Sequence, residues 1–202
     1  MQSRTLVKKS KKLSWLLRHG ALEAGLDMDA AGWVAISAVL SKTGLTRGEL
    51  SRVVAENNKR RLQVDGERIR CCQGHSLDGM PVTLEALEAS WTRVSQRSVL
   101  FHGTRLQVLD AILDTGIVAM QRTHVHLAHS PHSTVGKRAA VALLLEVDPQ
   151  RILDGVWVAP NGVYLARSVP PDAIVGVRPM TKRAREQSEQ LRALLSAHVA
   201  SS

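Results

Sequence analysis

The sequence predicts an α+β fold in two lobes, and three features carry that reading. Apolar residues recur at helical spacing up to about Glu56. Asp65–Gly66 then stands as a two-residue turn signal between two short segments. Beyond Ser98, short apolar runs punctuated by Gly and Pro read as many strands with few helices. The predicted lobes are residues 1–95 and 96–180, followed by a polar tail at 181–202. A chain of 202 residues suits two such small lobes. With 44% hydrophobic and 22% charged residues it is not a disordered chain.

Leu13, Leu16, Leu17, Ala21 and Leu22 mark the apolar face of a first helix. Gly32–Trp33–Val34 reads as a short strand, and Ile36–Leu40 as a short helix ending near Lys42–Thr43–Gly44. Thr46 and Glu49 form a capping box for the next helix, with Leu45 and Leu50 spaced as a hydrophobic staple. Arg61–Val64 and Glu67–Arg70 flank Asp65–Gly66 as a hairpin. With Asp65–Gly66 as the loop, Val64 faces Glu67, Leu62 faces Ile69 and Arg61 faces Arg70. Leu62 and Ile69 then turn to the core. Arg61 and Arg70 emerge together on the other face, either splayed into solvent or gathered beneath an anion. Helix, helix, hairpin is the order of a winged-helix module, an analogy of fold that does not give function.

Val82–Glu88 reads as a connecting helix. Val99–Phe101 opens the second lobe as a strand, and Leu106–Leu113 as a helix stopping near Gly116. His124–Ala128 alternates polar and apolar, and Ala140–Val147 is a continuous apolar strand. Val156–Val158 and Val163–Leu165 flank Pro160–Asn161–Gly162 as a second hairpin, and Ile174–Val177 is a last strand. The tail is expected to be weakly helical and loosely attached.

Lys and Arg number 27 against 18 Asp and Glu, a net charge of +9, which points to a polyanionic partner. Only 3% of residues are aromatic, which argues against a sheet of stacking aromatics and favours phosphate recognition. Contacts mainly to sugar and phosphate imply little base specificity. No apolar run of membrane-spanning length and no secretory signal stand in the sequence, so a cytoplasmic location is expected. The only cysteines, Cys71 and Cys72, are adjacent, which argues against a disulfide staple and favours two small buried strand residues over a vicinal redox pair.

The polar residues that stand out are Arg and His. Arg18–His19 sits at the end of an apolar helix, pairing a phosphate-binding fork with a group that titrates near neutrality. Gln73–Gly74–His75–Ser76 is either a loop leaving a strand or a turn of backbone donors for an anion. His102–Gly103–Thr104 follows a strand and precedes a helix, without a dinucleotide-binding glycine fingerprint. Arg122–Thr123–His124–Val125–His126 puts Arg122, His124 and His126 in phase on one strand face. His129 and His132 lie close by, but the run has no acidic or Cys ligand and no zinc-finger spacing, so no metal is expected. Serine-hydrolase, Walker and zinc-protease motifs are missing.

Taken in order, Leu16–Leu17–Arg18–His19, Asn57–Asn58–Lys59–Arg60–Arg61, Gln73–Gly74–His75–Ser76, Phe101–His102–Gly103–Thr104, Arg122–Leu127 and Asn161–Gly162–Val163 resemble the NAD-dependent RNA 2′-phosphotransferases over roughly residues 10–180. The resemblance implies a winged-helix N-terminal lobe and an ADP-ribosyltransferase-like C-terminal lobe. It implies the catalytic set Arg18, His19, Arg61 and Arg122. It also implies NAD contacts from His75, Ser76, His102, Gly103, Thr104, His126, Gly136 and Arg138. The implied substrate is RNA bearing an internal 2′-phosphate, as at a tRNA splice junction, acted on by a monomer with no membrane or metal involved. In the implied reaction that phosphate attacks the nicotinamide ribose of NAD⁺, giving a 2′-phospho-ADP-ribosylated RNA. Attack by the ribose 2″-hydroxyl then releases 2′-hydroxyl RNA and ADP-ribose 1″,2″-cyclic phosphate. His19 is expected to donate or orient the proton of that second step. An ADP-ribosyltransferase that caps nucleic-acid 5′-phosphates and a non-catalytic winged-helix binding protein are the alternatives. Leu62 stands where the family usually has Phe, and the stretch His129–Ser133 departs from an acidic family segment.

Overall fold

Apolar spacing on a basic N-terminal segment produces α1, Arg4–Trp15, in the computed structural model, which describes residues 4–57, 59–95, 98–136 and 141–201. The helix does not run on regularly. It widens into a π-helical turn, Leu16–Gly20, before the chain leaves. Leu13, Leu16, Leu17 and Ala21 are buried as their spacing predicts, whereas Leu22 is 62% exposed because the chain has already left the helix there. After β1, Val34–Ala35, helix α2, Ile36–Thr43, ends on Gly44 at a φ of 69°, the left-handed stop that glycine favours. Helix α3, Arg47–Ala55, starts on the predicted capping box, with both Thr46 and Glu49 arms made.

Strands β2, Leu62–Asp65, and β3, Arg68–Cys71, join β1 in a sheet of order β1-β3-β2. The register corrects the sequence expectation. Leu62 pairs with Cys71, Gln63 with Arg70, Val64 with Ile69 and Asp65 with Arg68. The loop is therefore Gly66–Glu67, with Gly66 leading at a φ of 56°. Arg61 and Arg70 do not face one another. Arg70 is buried, donating from Nε to the Gln63 side chain at 2.9 Å and from Nη1 to Ala31 O and Ser90 Oγ at 3.1 and 2.7 Å. Its guanidinium also lies 4.6 Å from the centre of the Trp33 ring. It is a structural arginine, and the backbone carbonyl of Arg61 instead accepts from Cys72 N–H at 2.8 Å. Helix α4, Leu84–Ala89, is capped by Thr83 Oγ1, which accepts from Ala86 N–H. These elements, with Gln121–Thr123 and Ala159–Asn161, make one compact unit.

The chain enters a second compact unit within β4, Thr92–Val94. Its strands are β5, Leu100–Thr104; β6, Ile117–Val118; β7, Val125–Leu127; β8, Leu143–Val147; β9, Val156–Val158; β10, Tyr164–Ala166; β11, Ser168–Val169; and β12, Ile174–Pro179. Three sheets result, ordered β4-β9-β10-β7, β12-β8-β5 and β11-β6. The second hairpin pairs Tyr164 with Val158 and Leu165 with Trp157, around the predicted turn. Helix α5, Leu109–Thr115, contributes Leu109 and Leu113 to a core shared with Leu127, Leu143, Leu145 and Val147. The tail is not loose. Helices α6, Lys182–Glu186, and α7, Ser188–Ser201, bring Ala184 and Leu191 into that same core. His198 Nε2 also lies 2.8 Å from Pro171 O. Among the described residues no helix is long and apolar enough to cross a membrane.

Candidate active site

Four polar side chains predicted from scattered motifs meet in the first unit. The π-helical turn carries Arg18 and His19. More residues per turn means a smaller angle between neighbours than in an α-helix, which brings these two consecutive side chains nearer one face. Arg18 lies against the 73–76 loop, where the glycine at 74, with a φ of 88°, leaves room: a Cβ there would come 3.2 Å from the guanidinium carbon. Ser76 N–H donates to Arg18 O at 3.0 Å, and Ser76 Oγ sits 2.8 Å from His19 Nδ1. Ser76 also forms an isolated antiparallel bridge with Arg122, beside the 3.1 Å bond from Thr123 N–H to His75 O. One four-residue loop thus holds the helix turn on one side and Arg122 on the other.

Arg61 reaches the cluster from the loop before β2. Asn57 is buried and shapes that loop: its Oδ1 accepts from Lys59 N–H at 3.1 Å and its Nδ2 donates to Ser10 Oγ at 3.0 Å. Asn161 Nδ2 donates to Lys59 O at 3.3 Å from the far side. Arg61 lines a cavity of about 180 Å³ with Ser10, Lys11, Glu56 and Lys59.

The cations act on one another and on His19. Burial first, then the charges of Arg18 and Arg122, lower the pKa of His19, so its ring is neutral at neutral pH. Burial and the charge of Arg18 likewise lower that of Arg61. Among the described residues no carboxylate forms an ion pair with Arg18 or Arg61. Arg18 Nε is buried with no hydrogen-bond partner. Beneath it, burial pushes the Cys71 thiol up against the opposing effect of Arg18, and Cys72 up to about 12. Both remain thiols at neutral pH, and they are structural floor rather than nucleophiles. His75, assigned by resemblance to NAD, is fully buried against Gly32, its two ring nitrogens without partners. Burial, Arg18, Arg70 and His19 push its pKa down to about 3.

The remaining predicted residues belong to the second unit. His102, Gly103 and Thr104 lie on β5, and His126 lies on β7. A pair of bonds between Phe101 and Ala128, 2.8 and 2.9 Å, joins the two strands, and His102 Nδ1 is 3.1 Å from His126 O. Gly136, with a φ of 78°, packs so tightly on Leu127 that a Cβ would come 2.3 Å from Leu127 O. His124, predicted to share a face with Arg122 and His126, is buried edge-on to Trp157. The segment Arg122–His126 is divided, Arg122 going to the first unit and His124 and His126 to the second. Arg138 lies outside the described residues.

Residues 4–168 match the family described as RNA 2′-phosphotransferase, Tpt1 / KptA family. The chain belongs to this family. It is 34% identical to a "Probable RNA 2′-phosphotransferase" of Rhizobium johnstonii over 84% of its own length and 94% of the relative's. Proteins of the same name from Streptomyces griseus subsp. griseus and Pseudomonas aeruginosa are each 37% identical, covering 85% and 84% of this chain and 96% of theirs. Within this family frame, two residues the motifs contain have roles that spacing did not show. Asn57 was visible only as part of a motif, not as the residue that builds the Arg61 loop. Ser76 was read as a ligand contact, and its bond to His19 depends on a loop crossing that spacing alone does not reveal.

Proposed function

We propose that the protein is an RNA 2′-phosphotransferase that moves an internal 2′-phosphate, of the kind left at a tRNA splice junction, to NAD⁺. The products are 2′-hydroxyl RNA, nicotinamide and ADP-ribose 1″,2″-cyclic phosphate. The observation that carries this reading is the set Arg18, His19, Arg61 and Arg122, in which Arg18 and Arg61 have no carboxylate partner among the described residues. Cations gathered this way repel one another, and a phosphate monoester of about −1.5 to −2 charge relieves that repulsion. Family membership supplies the substrate class.

NAD⁺ supplies the electrophilic ribose carbon that accepts the phosphate, with nicotinamide as leaving group. The residues offered to it by resemblance suit a dinucleotide in chemistry: imidazoles, two hydroxyls and glycine backbone, with no carboxylate among them. They are His102, Gly103, Thr104, His126 and Gly136, all in the second unit; the resemblance also names Ser76, and His75, whose ring is fully buried. The lobe names that go with this reading are a winged-helix-like first lobe and an ADP-ribosyltransferase-like second lobe, in a cytoplasmic enzyme.

The arginines orient the 2′-phosphate and stay charged throughout, so it approaches as an anion with its oxygen aimed. They also stabilise the charge that builds at phosphorus when the RNA oxygen leaves. His19 holds or delivers the proton for that oxygen. The bound phosphate offsets Arg18 and Arg122, which raises the lowered pKa of the ring and lets it carry the proton when it is needed. The test pairs two oligonucleotides of one sequence, one with an internal 2′-phosphate and one with only a 5′-phosphate, each incubated with NAD⁺ and weighed by mass spectrometry. Loss of the 2′-phosphate alone supports the reading. Stable ADP-ribose on the 5′-phosphate contradicts it.

A further inference from the structure

We propose that Trp15 is the stacking platform for a nucleobase of the RNA, set at the entrance to the arginine cluster. The inference rests on the 2′-phosphate reading above and names how the same site holds the rest of its substrate.

The chain has six aromatic residues, four Trp, one Tyr and one Phe. Trp91, Phe101 and Trp157 are buried, Trp33 and Tyr164 half-buried, and Trp15 alone is 54% exposed. An exposed indole costs water contacts that a core position would avoid, and single exposed aromatics on a basic surface mark places where bases stack. Its position decides what it serves. Trp15 ends α1, and the π-helical turn bearing Arg18 and His19 begins at the next residue. The ring reaches forward along that turn. A Cβ on Gly20 would come 2.7 Å from Trp15 Cζ3 and 2.9 Å from Cη2, so the indole lies beside the residue that follows His19.

The surface behind it fits a nucleic-acid backbone. Lys8, Lys11 and Lys12 are exposed and stand three to seven residues before Trp15, on the same helix face. Lys9, by contrast, is tied to Glu49. Lys11 lines the same cavity as Arg61, so the basic helix face runs into the cluster. A row of cations that tracks phosphates, ending in one aromatic, is how single strands are held without reading their sequence. It reconciles a basic, aromatic-poor chain with a substrate that still presents bases.

The test measures kcat/KM for wild type, Trp15→Ala, Trp15→Leu and Trp15→Phe on a short RNA with one internal 2′-phosphate. The same RNA is also made abasic at the phosphorylated nucleotide or at either neighbour. Trp15→Ala and Trp15→Leu are expected to lower kcat/KM on the intact RNA by about 5- to 100-fold, with Trp15→Phe losing less. One of the abasic RNAs is expected to erase the difference between wild type and Trp15→Ala, whereas base identity at that position changes little. A Trp15→Ala enzyme equal to wild type overturns the inference. So does a defect that persists undiminished on every abasic RNA, because the residue then acts through the fold. If wild type removes no 2′-phosphate from any RNA, the functional reading itself fails. If it removes the phosphate without any abasic effect, the stacking inference fails alone.

Discussion

Lowering the pH should destabilise this protein through His75 in a way that can be calculated. The ring is fully buried, its nitrogens have no partners, and its pKa falls from the ordinary 6.5 to about 3. Between those values the unfolded chain binds a proton that the folded chain refuses. Stability is therefore complete above pH 6.5 and is lost as pH falls toward 3. Integrated from pH 7 to pH 5, that single group costs about 2 kcal/mol, or roughly 1 M in the urea midpoint. His19 is shifted the same way and adds to the slope, as does any carboxylate that titrates. The contribution of His75 is isolated by His75→Gln, which keeps a neutral polar side chain. Urea unfolding of both proteins at pH 7 and pH 5 should show the variant losing about 2 kcal/mol less than wild type. Equal losses would refute the reasoning and mean that the buried ring accepts a proton.

The same packing makes Gly32→Ala costly: its Cβ would sit 2.8 Å from His75 Nε2 at a φ of 84°, and thermal or urea unfolding should show a loss of about 1–3 kcal/mol. Arg61→Lys keeps the charge but not the two-pronged donor, so turnover of a 2′-phosphorylated RNA should fall roughly 100-fold while far-ultraviolet circular dichroism stays unchanged. Leu191→Ala, in the buried face of the C-terminal helix, should cost about 2–4 kcal/mol in urea unfolding, whereas a loosely attached tail would show no change.

Local signals were legible where one residue decides the outcome. The Thr46–Glu49 capping box and the Gly44 stop both appear where the sequence puts them. The first hairpin shows where such signals run out. Asp65–Gly66 reads as a loop, but Asp65 joins the strand opposite Arg68 and forms an ion pair with it, and Gly66 leads the turn. The pairing moves by two positions, so every side chain keeps its face, and Leu62 and Ile69 are buried as expected. The partners change all the same, and Arg70, expected either in solvent or beneath an anion, is held in a buried network. The π-helical turn at Leu16–Gly20 was not legible, since apolar spacing barely distinguishes it from a continuing helix. Docking of the tail was missed because only Ala184 and Leu191 of a polar segment enter the core, too few to make a strong pattern. Of the site, Arg18, His19, Arg61 and Arg122 do meet, drawn from positions 104 residues apart at the extremes (122 − 18). The motifs named them; the loop at Gln73–Ser76 joins Arg18, His19 and Arg122, and the loop that Asn57 shapes brings Arg61.

The most direct test of the account follows one RNA with a single internal 2′-phosphate, incubated with the purified protein with and without NAD⁺, with RNA mass and free nicotinamide read together. The account predicts loss of the phosphate only when NAD⁺ is present, one nicotinamide released per phosphate removed, and ADP-ribose 1″,2″-cyclic phosphate as co-product. Removal of the phosphate without NAD⁺, or release of nicotinamide with the 2′-phosphate left on the RNA, would contradict it.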